Sequence, residues 1–164
     1  MDLLLKEGEC LDDLQIKGYK IIQDRTKFCF GMDAVLLSNF VKVKPGDRVV
    51  DLGTGTGIIP ILMAAKTGAS TITGIEIQED MVEMAQRSVI LNMLEDRISI
   101  VHGDLRTDLN WLGRARWDVV VSNPPYKKLG SGFINPKDSK AIARHEVMCT
   151  LDDVLSAASN LLKF

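Results

Sequence analysis

Residues 48–66 constrain the fold more than any other stretch, because a strand, a glycine-rich turn and a helix follow one another without a break. Residues 48–52 read Arg-Val-Val-Asp-Leu, a short apolar run of the kind that forms a buried strand. The next five residues include three glycines, and a helix is predicted over 58–66, with Pro60 in its first turn, where no N–H is needed. A strand that turns directly into a helix is typical of α/β proteins.

The same alternation continues along the chain. Further strands are predicted at 72–76, 98–101 and 117–122, with an amphipathic helix between the first two. A last helix is predicted to start at Thr150, with Asp153 completing a capping box. The sequence therefore predicts an α/β fold with a doubly wound, mainly parallel sheet. Because strand 117–122 would remain an apolar edge, we expect the chain to be truncated after the last helix, with further strands in the parent protein.

Residues 1–32 are predicted to form an N-terminal segment with short β pieces at 19–22 and 28–30. Asp33 stands where a helix N-cap belongs, ahead of apolar residues at helical spacing. We therefore expect the main domain to run from residue 33 to residue 164.

The composition excludes several classes of protein. With 46% hydrophobic and 26% charged residues, the chain is an ordinary globular domain rather than a disordered or fibrous one. We expect neither a transmembrane segment nor a secretory signal, because no apolar run is long enough and the first residues lack a basic region. The net charge of −2 means that any nucleic-acid contact must come from a local basic patch. Its three cysteines lie far apart, which predicts free thiols, no metal site and a cytoplasmic location.

The glycine turn favours one kind of ligand. Glycines let a ligand approach the backbone, and the helix that follows presents free N–H groups. A dinucleotide site needs its third glycine one position later than Gly57, and Asp51 just before the turn would repel a pyrophosphate. This pattern disfavours an oxidoreductase and fits a positively charged ligand such as S-adenosylmethionine, which carries an ammonium and a sulfonium group. A turn that binds nothing is the alternative.

Two acids follow neighbouring strands. Glu76 ends the second strand of the sheet, where an acid accepts hydrogen bonds from ribose hydroxyls in nucleotide-binding α/β proteins. Asp104 comes just after the third strand and is expected to line the same crevice. The alternatives are a solvated acid at the end of a strand for Glu76 and a turn residue for Asp104.

Residues 123–126, Asn-Pro-Pro-Tyr, follow the last predicted strand. Consecutive prolines fix the backbone, so the amide oxygen of Asn123 and the carbonyl of Pro124 can accept both N–H groups of a planar amine. Tyr126 can stack on the ring that carries the amine. These are the parts needed to methylate an amide-like or aromatic amino nitrogen, and a rigid turn at the end of a strand is the alternative.

These motifs resemble those of class I S-adenosylmethionine-dependent methyltransferases that act on amino nitrogens of adenine, cytosine or glutamine. Residues 21–23, 28–30, 33–37 and 141–146 further resemble bacterial tRNA adenine-N6 methyltransferases, which modify the adenine next to the anticodon of a valine tRNA. The resemblance implies a Rossmann-like methyltransferase sheet, S-adenosylmethionine as the cofactor and tRNA as the substrate.

The resemblance also implies roles for single residues. The catalytic group comprises Asn123, Pro124, Pro125 and Tyr126. The expected cofactor contacts are Asp51, Gly53, Thr54, Gly55, Gly57, Glu76, Ile77, Asp104, Leu105 and Asn123, with Phe30 and Asp33 helping to close the site.

A basic cluster follows the catalytic segment and could grip the phosphates of an RNA substrate. Its members include Lys127, Lys128, Lys140 and Arg144. A merely solvated loop is the alternative. Two other functions stay open at this point: a protein methyltransferase that acts on glutamine N5 with the same four catalytic residues, and a protein that binds cofactor or RNA without turnover.

Overall fold

The computed structural model describes residues 5–27, 29–107, 109–123 and 149–163. The strands in these ranges are β1 (Glu9–Asp13), β2 (Lys20–Asp24), β3 (Arg48–Leu52), β4 (Thr71–Glu76), β5 (Ile98–His102) and β6 (Val119–Ser122). The helices are α1 (Met32–Phe40), α2 (Ile58–Lys66), α3 (Glu79–Leu91) and α4 (Leu151–Leu161), with a 3-10 turn at Asn110–Leu112. None of the helices in this described part is long and apolar enough to cross a membrane.

A four-stranded parallel sheet carries the glycine turn near its centre. The strand order is β5-β4-β3-β6, so β3 lies between β4 and β6. Leu52, at the end of β3, pairs with Ile75 on one side and Ser122 on the other. Because the strands all run in the same direction, the residues that follow β3, β4 and β6 meet at one edge of the sheet. The predicted α/β fold with a mainly parallel sheet is therefore confirmed.

Apolar layers cover both faces of this sheet. Val49 packs with apolar residues of α2 and α3, whereas Val50 and Leu52 pack on the opposite face with Trp117 and α4. Successive side chains of a strand point to opposite faces, and both faces are buried here, so β3 is apolar without alternation.

Strand β6 lies at one edge of the sheet, and the chain returns to it after α4. Leu162 forms a parallel bridge with Trp117, and the backbone N–H of Lys163 donates a 3.0 Å hydrogen bond to the carbonyl of Trp117. The strand predicted at 117–122 begins at Val119 in the structure. The edge that was predicted to be unpaired is partly paired, because the residues after α4 bond to Trp117.

The N-terminal segment differs from the prediction. It forms an antiparallel hairpin of β1 and β2, although β1 was not predicted because three of its five residues are acids. The β piece predicted at 28–30 is not found, since Cys29 and Phe30 lie outside any strand and Phe28 lies outside the described residues.

Helix α1 also begins earlier than predicted. Its N-cap is Gly31, so the prediction of Asp33 as the N-cap is wrong, and Asp33 lies in the first turn. The apolar residues predicted at helical spacing are only partly on its buried side. Ala34 is buried and Leu37 packs against the core, whereas Leu36 and Phe40 are 62% and 83% exposed.

Arg87 joins the hairpin to α3. Its guanidinium donates to both carboxylate oxygens of Glu9 in β1, at 2.6 and 2.5 Å, and its Nε donates to Glu83 at 2.8 Å. The side chains of Arg87 and Glu9 are only 12% and 7% exposed. Hydrogen bonding to Arg87 lowers the pKa of Glu9, so both groups are charged at neutral pH.

Candidate active site

The glycine turn after β3 is anchored to the neighbouring strand and leaves open space beside it. The backbone N–H groups of Gly53 and Thr54 both donate 2.9 Å hydrogen bonds to the carbonyl of Ile75 in β4. Gly53 and Gly55 have φ values of +76° and +56°, which residues with a side chain rarely adopt. A Cβ atom at either glycine would meet no atom within 4 Å among the described residues, so the backbone is accessible to a ligand there.

Asp51 is a buried acid at the start of this turn. It is fully buried, and neither of its carboxylate oxygens has a hydrogen-bond partner among the described residues. Burial raises the pKa of Asp51 to about 7, and the charge of Glu76 adds to the shift. The hydroxyl of Thr54 lowers the pKa of Asp51 and so partly offsets this shift, although the two side chains do not form a hydrogen bond of regular geometry. Because an unpaired buried carboxylate is unfavourable, Asp51 is suited to a cationic ligand.

Glu76 holds the turn through its carboxylate. Its Oε2 accepts a 2.9 Å hydrogen bond from the N–H of Gly55, and its Oε1 accepts 3.0 Å bonds from the N–H groups of Ile77 and Gln78. The residue is 6% exposed. The alternative of a solvated acid at the end of a strand is therefore wrong, and Glu76 lies beside the glycine turn as the sequence predicts.

Asn123 and Asp33 meet across the same edge of the sheet. Asn123 directly follows β6, and its Nδ2 donates a 2.9 Å hydrogen bond to Oδ2 of Asp33 in α1. The sequence predicted both residues at the site but did not predict their contact.

The segment after β5 is engaged in local hydrogen bonds. The carboxylate of Asp104 accepts from the backbone N–H of Arg106 at 2.9 Å and from its guanidinium at 2.7 Å, and hydrogen bonding to that side chain lowers the pKa of Asp104. The N–H of Gly103 donates to the carbonyl of Glu76 at 3.0 Å, which keeps the segment at this edge. Asp104 has the geometry of a turn residue, and Leu105 packs on the apolar layer of α4, so their cofactor contacts stay predictions.

A buried glutamine that sequence reasoning did not assign to the site positions Phe30. Gln23 in β2 is 4% exposed, and its Oε1 accepts a 3.1 Å hydrogen bond from the N–H of Phe30. Its amide also donates to Asp12 of β1. A single polar residue in a short strand gives no local signal of such a role, because its partners lie on other elements.

The remaining predicted residues lie outside the described part of the chain. These are Pro124, Pro125, Tyr126, Lys127, Lys128, Lys140 and Arg144.

The fold and the site together define a class. A parallel α/β sheet with a glycine turn after a central strand, a buried acid before the turn and a second acid ending the next strand is the arrangement of S-adenosylmethionine-dependent methyltransferases. The chain belongs to the methyltransferase small domain family, whose family model matches residues 27–136.

Similar proteins agree with this class. The chain is 30% identical over 147 residues to a tRNA1(Val) (adenine(37)-N6)-methyltransferase of Tolumonas auensis, an alignment that covers 89% of this chain and 60% of that protein. It is 32% identical over 157 residues to the protein of the same name from Porphyromonas gingivalis, covering 92% and 61%. The chain thus spans about 60% of the length of these curated relatives.

A solved structure shows the same fold. The chain superposes on Pyrococcus horikoshii TYW2, crystallised in complex with MeSAdo, with a TM-score of 0.65 at 18% sequence identity. The superposition covers 96% of this chain and 50% of that one.

The described residues fit S-adenosylmethionine, the cofactor of the class. Asp51 offers a buried carboxylate without a partner to a cationic group, the turn at Gly53 and Gly55 offers open backbone, and Glu76 stands at the end of the adjacent strand. When bound, the cofactor supplies a methyl group made electrophilic by its positive sulfur.

Proposed function

We propose that the whole protein transfers a methyl group from S-adenosylmethionine to the exocyclic N6 of an adenine in RNA, in a tRNA near its anticodon. The observation that carries the proposal is the position of Asn123. It follows β6, the strand next to β3, and so lies at the same sheet edge as the glycine turn and Glu76. The names of the relatives from Tolumonas auensis and Porphyromonas gingivalis support adenine as the target.

The amide oxygen of Asn123 accepts one N–H of the target amino group in this proposal, and the carbonyl of Pro124 accepts the other. Two acceptors on one planar nitrogen favour a more pyramidal geometry, in which the lone pair is available outside the ring. Tyr126 stacks on the base, and such stacking contributes about 1–3 kcal/mol to binding. Positioning then supplies much of the rate, because the reaction needs no strong base.

The substrate reaches this site as an unstacked base. Unstacking costs a few kcal/mol in a helix and least in a loop, which favours an anticodon loop over a duplex. Lys127, Lys128, Lys140 and Arg144 would contact the phosphates of that loop. A tRNA substrate would also place the protein in the cytoplasm.

The test uses the full-length protein and methyl-labelled S-adenosylmethionine, with unmodified bulk tRNA and a protein extract offered in parallel. We expect label in tRNA, released on digestion as N6-methyladenosine. The Asn123→Ala variant is the matched control, and it should lose transfer while its cofactor affinity stays within about twofold of wild type. Label in protein glutamine would replace the proposal with glutamine methylation, and label in neither would leave a protein that binds without turnover.

A further inference from the structure

The contact between Asn123 and Asp33 joins two parts of the chain that are 90 residues apart. Asp33 belongs to the first turn of α1, and the buried residues Ala34 and Ser38 fix that helix against the domain. Asn123 is placed by the end of β6. The position of Asp33 relative to Asn123 is therefore set by two elements that pack on one core.

The chemistry of the two groups determines how the Asn123 amide is turned. An ionised carboxylate only accepts hydrogen bonds, whereas an amide has a donor end and an acceptor end. With Nδ2 towards Asp33, Oδ1 lies on the opposite side of the amide group. The flipped amide would set its oxygen against the carboxylate of Asp33, which is repulsive, so Asp33 distinguishes between two orientations of nearly identical shape.

Gly31 leaves the room that the Asp33 carboxylate occupies. A Cβ atom at Gly31 would lie 2.7 Å from Oδ1 of Asp33, which is closer than such contacts allow. The backbone of Gly31 has φ −108° and ψ −178°, an extended conformation that any residue adopts. An alanine there would displace the carboxylate without straining the N-cap of α1.

We propose that Asp33 is a positioning residue that orients the Asn123 amide with Oδ1 towards the target nitrogen. This rests on the proposed function, in which that oxygen accepts an N–H of the target. Asp33 acts through Asn123 and touches neither the base nor the methyl group.

The test compares Asp33→Ala, Asp33→Asn and Gly31→Ala in the full-length protein. Single-turnover methyl transfer to tRNA is measured at saturating cofactor, and cofactor affinity is measured by calorimetry. Because Asp33 is also expected to help close the cofactor site, the rates are compared at saturating cofactor, where we expect Asp33→Ala to lower the rate about tenfold or more. Asp33→Asn should recover much of the rate because its carbonyl can accept from Nδ2, and Gly31→Ala should lower the rate although it retains every polar group.

A second measurement needs no substrate. The side-chain NH₂ pair of Asn123 is identified in a ¹⁵N–¹H spectrum by its loss in Asn123→Ala, and Asp33→Ala should move one of its two protons upfield, towards exposed asparagine values. Unchanged NH₂ signals would overturn the proposal. A loss of cofactor affinity in Asp33→Ala with no change of rate at saturation would also overturn it. A wild-type protein that fails to methylate tRNA would refute the adenine proposal, while the spectrum would still test the orientation of the amide.

Discussion

The backbone N–H of Gly55 donates a 2.9 Å hydrogen bond to the Glu76 carboxylate, so the glycine turn after β3 is held by the acid that ends β4. The other oxygen of Glu76 accepts the N–H groups of Ile77 and Gln78. One buried side chain thus orders the turn and the start of the next helix together.

Replacing Glu76 should therefore destabilise the protein as well as weaken cofactor binding. Glu76→Ala leaves three backbone N–H groups without this acceptor, and we expect a loss of about 1–3 kcal/mol in the free energy of unfolding, measured in urea. Glu76→Gln keeps one acceptor oxygen and should lose less. Equal stability of Glu76→Ala and wild type would contradict this account of the turn.

The affinity for the cofactor should depend on pH through Asp51. Its pKa of about 7 means that the carboxyl is largely protonated at pH 6 and largely ionised at pH 8. Only the ionised form attracts a cationic ligand, so we expect the Kd for S-adenosylmethionine to fall about tenfold over that range. Calorimetry should show no such dependence for Asp51→Asn, which binds weakly throughout. A wild-type Kd independent of pH would contradict the prediction.

Asp51 should make the free protein less stable as the pH rises, whereas it should make cofactor binding tighter. The pKa of Asp51 is raised to about 7 in the fold, compared with about 3.9 in an unfolded chain. Between these values the folded state binds more protons than the unfolded state, so its stabilising effect is complete below about pH 4 and is lost as the pH rises towards 7. The upper limit of the slope is about 1.4 kcal/mol per pH unit.

Denaturation of wild type and Asp51→Asn across pH 4 to 8 measures this effect as a difference. Carboxylates of lowered pKa, such as Glu9, stabilise the fold above about pH 4.5 and lose this effect as the pH falls. Their contribution is the same in both proteins and cancels in the difference. The variant should gain stability relative to wild type as the pH rises. A constant difference would show that Asp51 is not protonated in the fold.

Removing one partner of the ion pair between Arg87 and Glu9 should destabilise the protein where the hairpin is attached. Arg87→Ala leaves the carboxylate of Glu9 buried without its cation, and we expect a loss of about 3–5 kcal/mol in the free energy of unfolding. The matched control is Lys6→Ala, since Lys6 pairs with Glu83 at the surface, with side chains 63% and 42% exposed. That change should cost less than about 1 kcal/mol. Equal effects of the two substitutions would contradict the distinction.

Local sequence was sufficient for the central part of the fold. Strand β3 and helix α2 have the predicted bounds because three glycines mark the turn between them and Pro60 fits the first turn of the helix. The capping box of Thr150 and Asp153 was likewise predicted, and the structure shows both of its hydrogen bonds. In these segments the signal and its cause lie within a few neighbouring residues.

The failures arise where distant contacts decide the structure. Strand β1 is rich in acids, and its Glu9 is stabilised by Arg87, 78 residues further along. Aspartate is a common N-cap residue, which suggested Asp33 for that position, but Gly31 is the N-cap and Asp33 accepts a hydrogen bond from Asn123. The cofactor contact of Asp104 is not such a failure and stays a prediction, although its carboxylate pairs with the neighbouring Arg106 in the structure.

The carboxylate of Asp51, which has no hydrogen-bond partner in the described part of the chain, also links the lifetime of the protein to the supply of its methyl donor. A ligand that binds only the folded state stabilises it in proportion to the logarithm of its concentration, and here binding also relieves an unfavourable buried group. Proteases that cleave the unfolded chain would therefore degrade the free protein faster than the loaded one. Cells starved of methionine would be expected to hold less of this protein, with no dedicated regulator, and pulse-chase labelling would measure the difference.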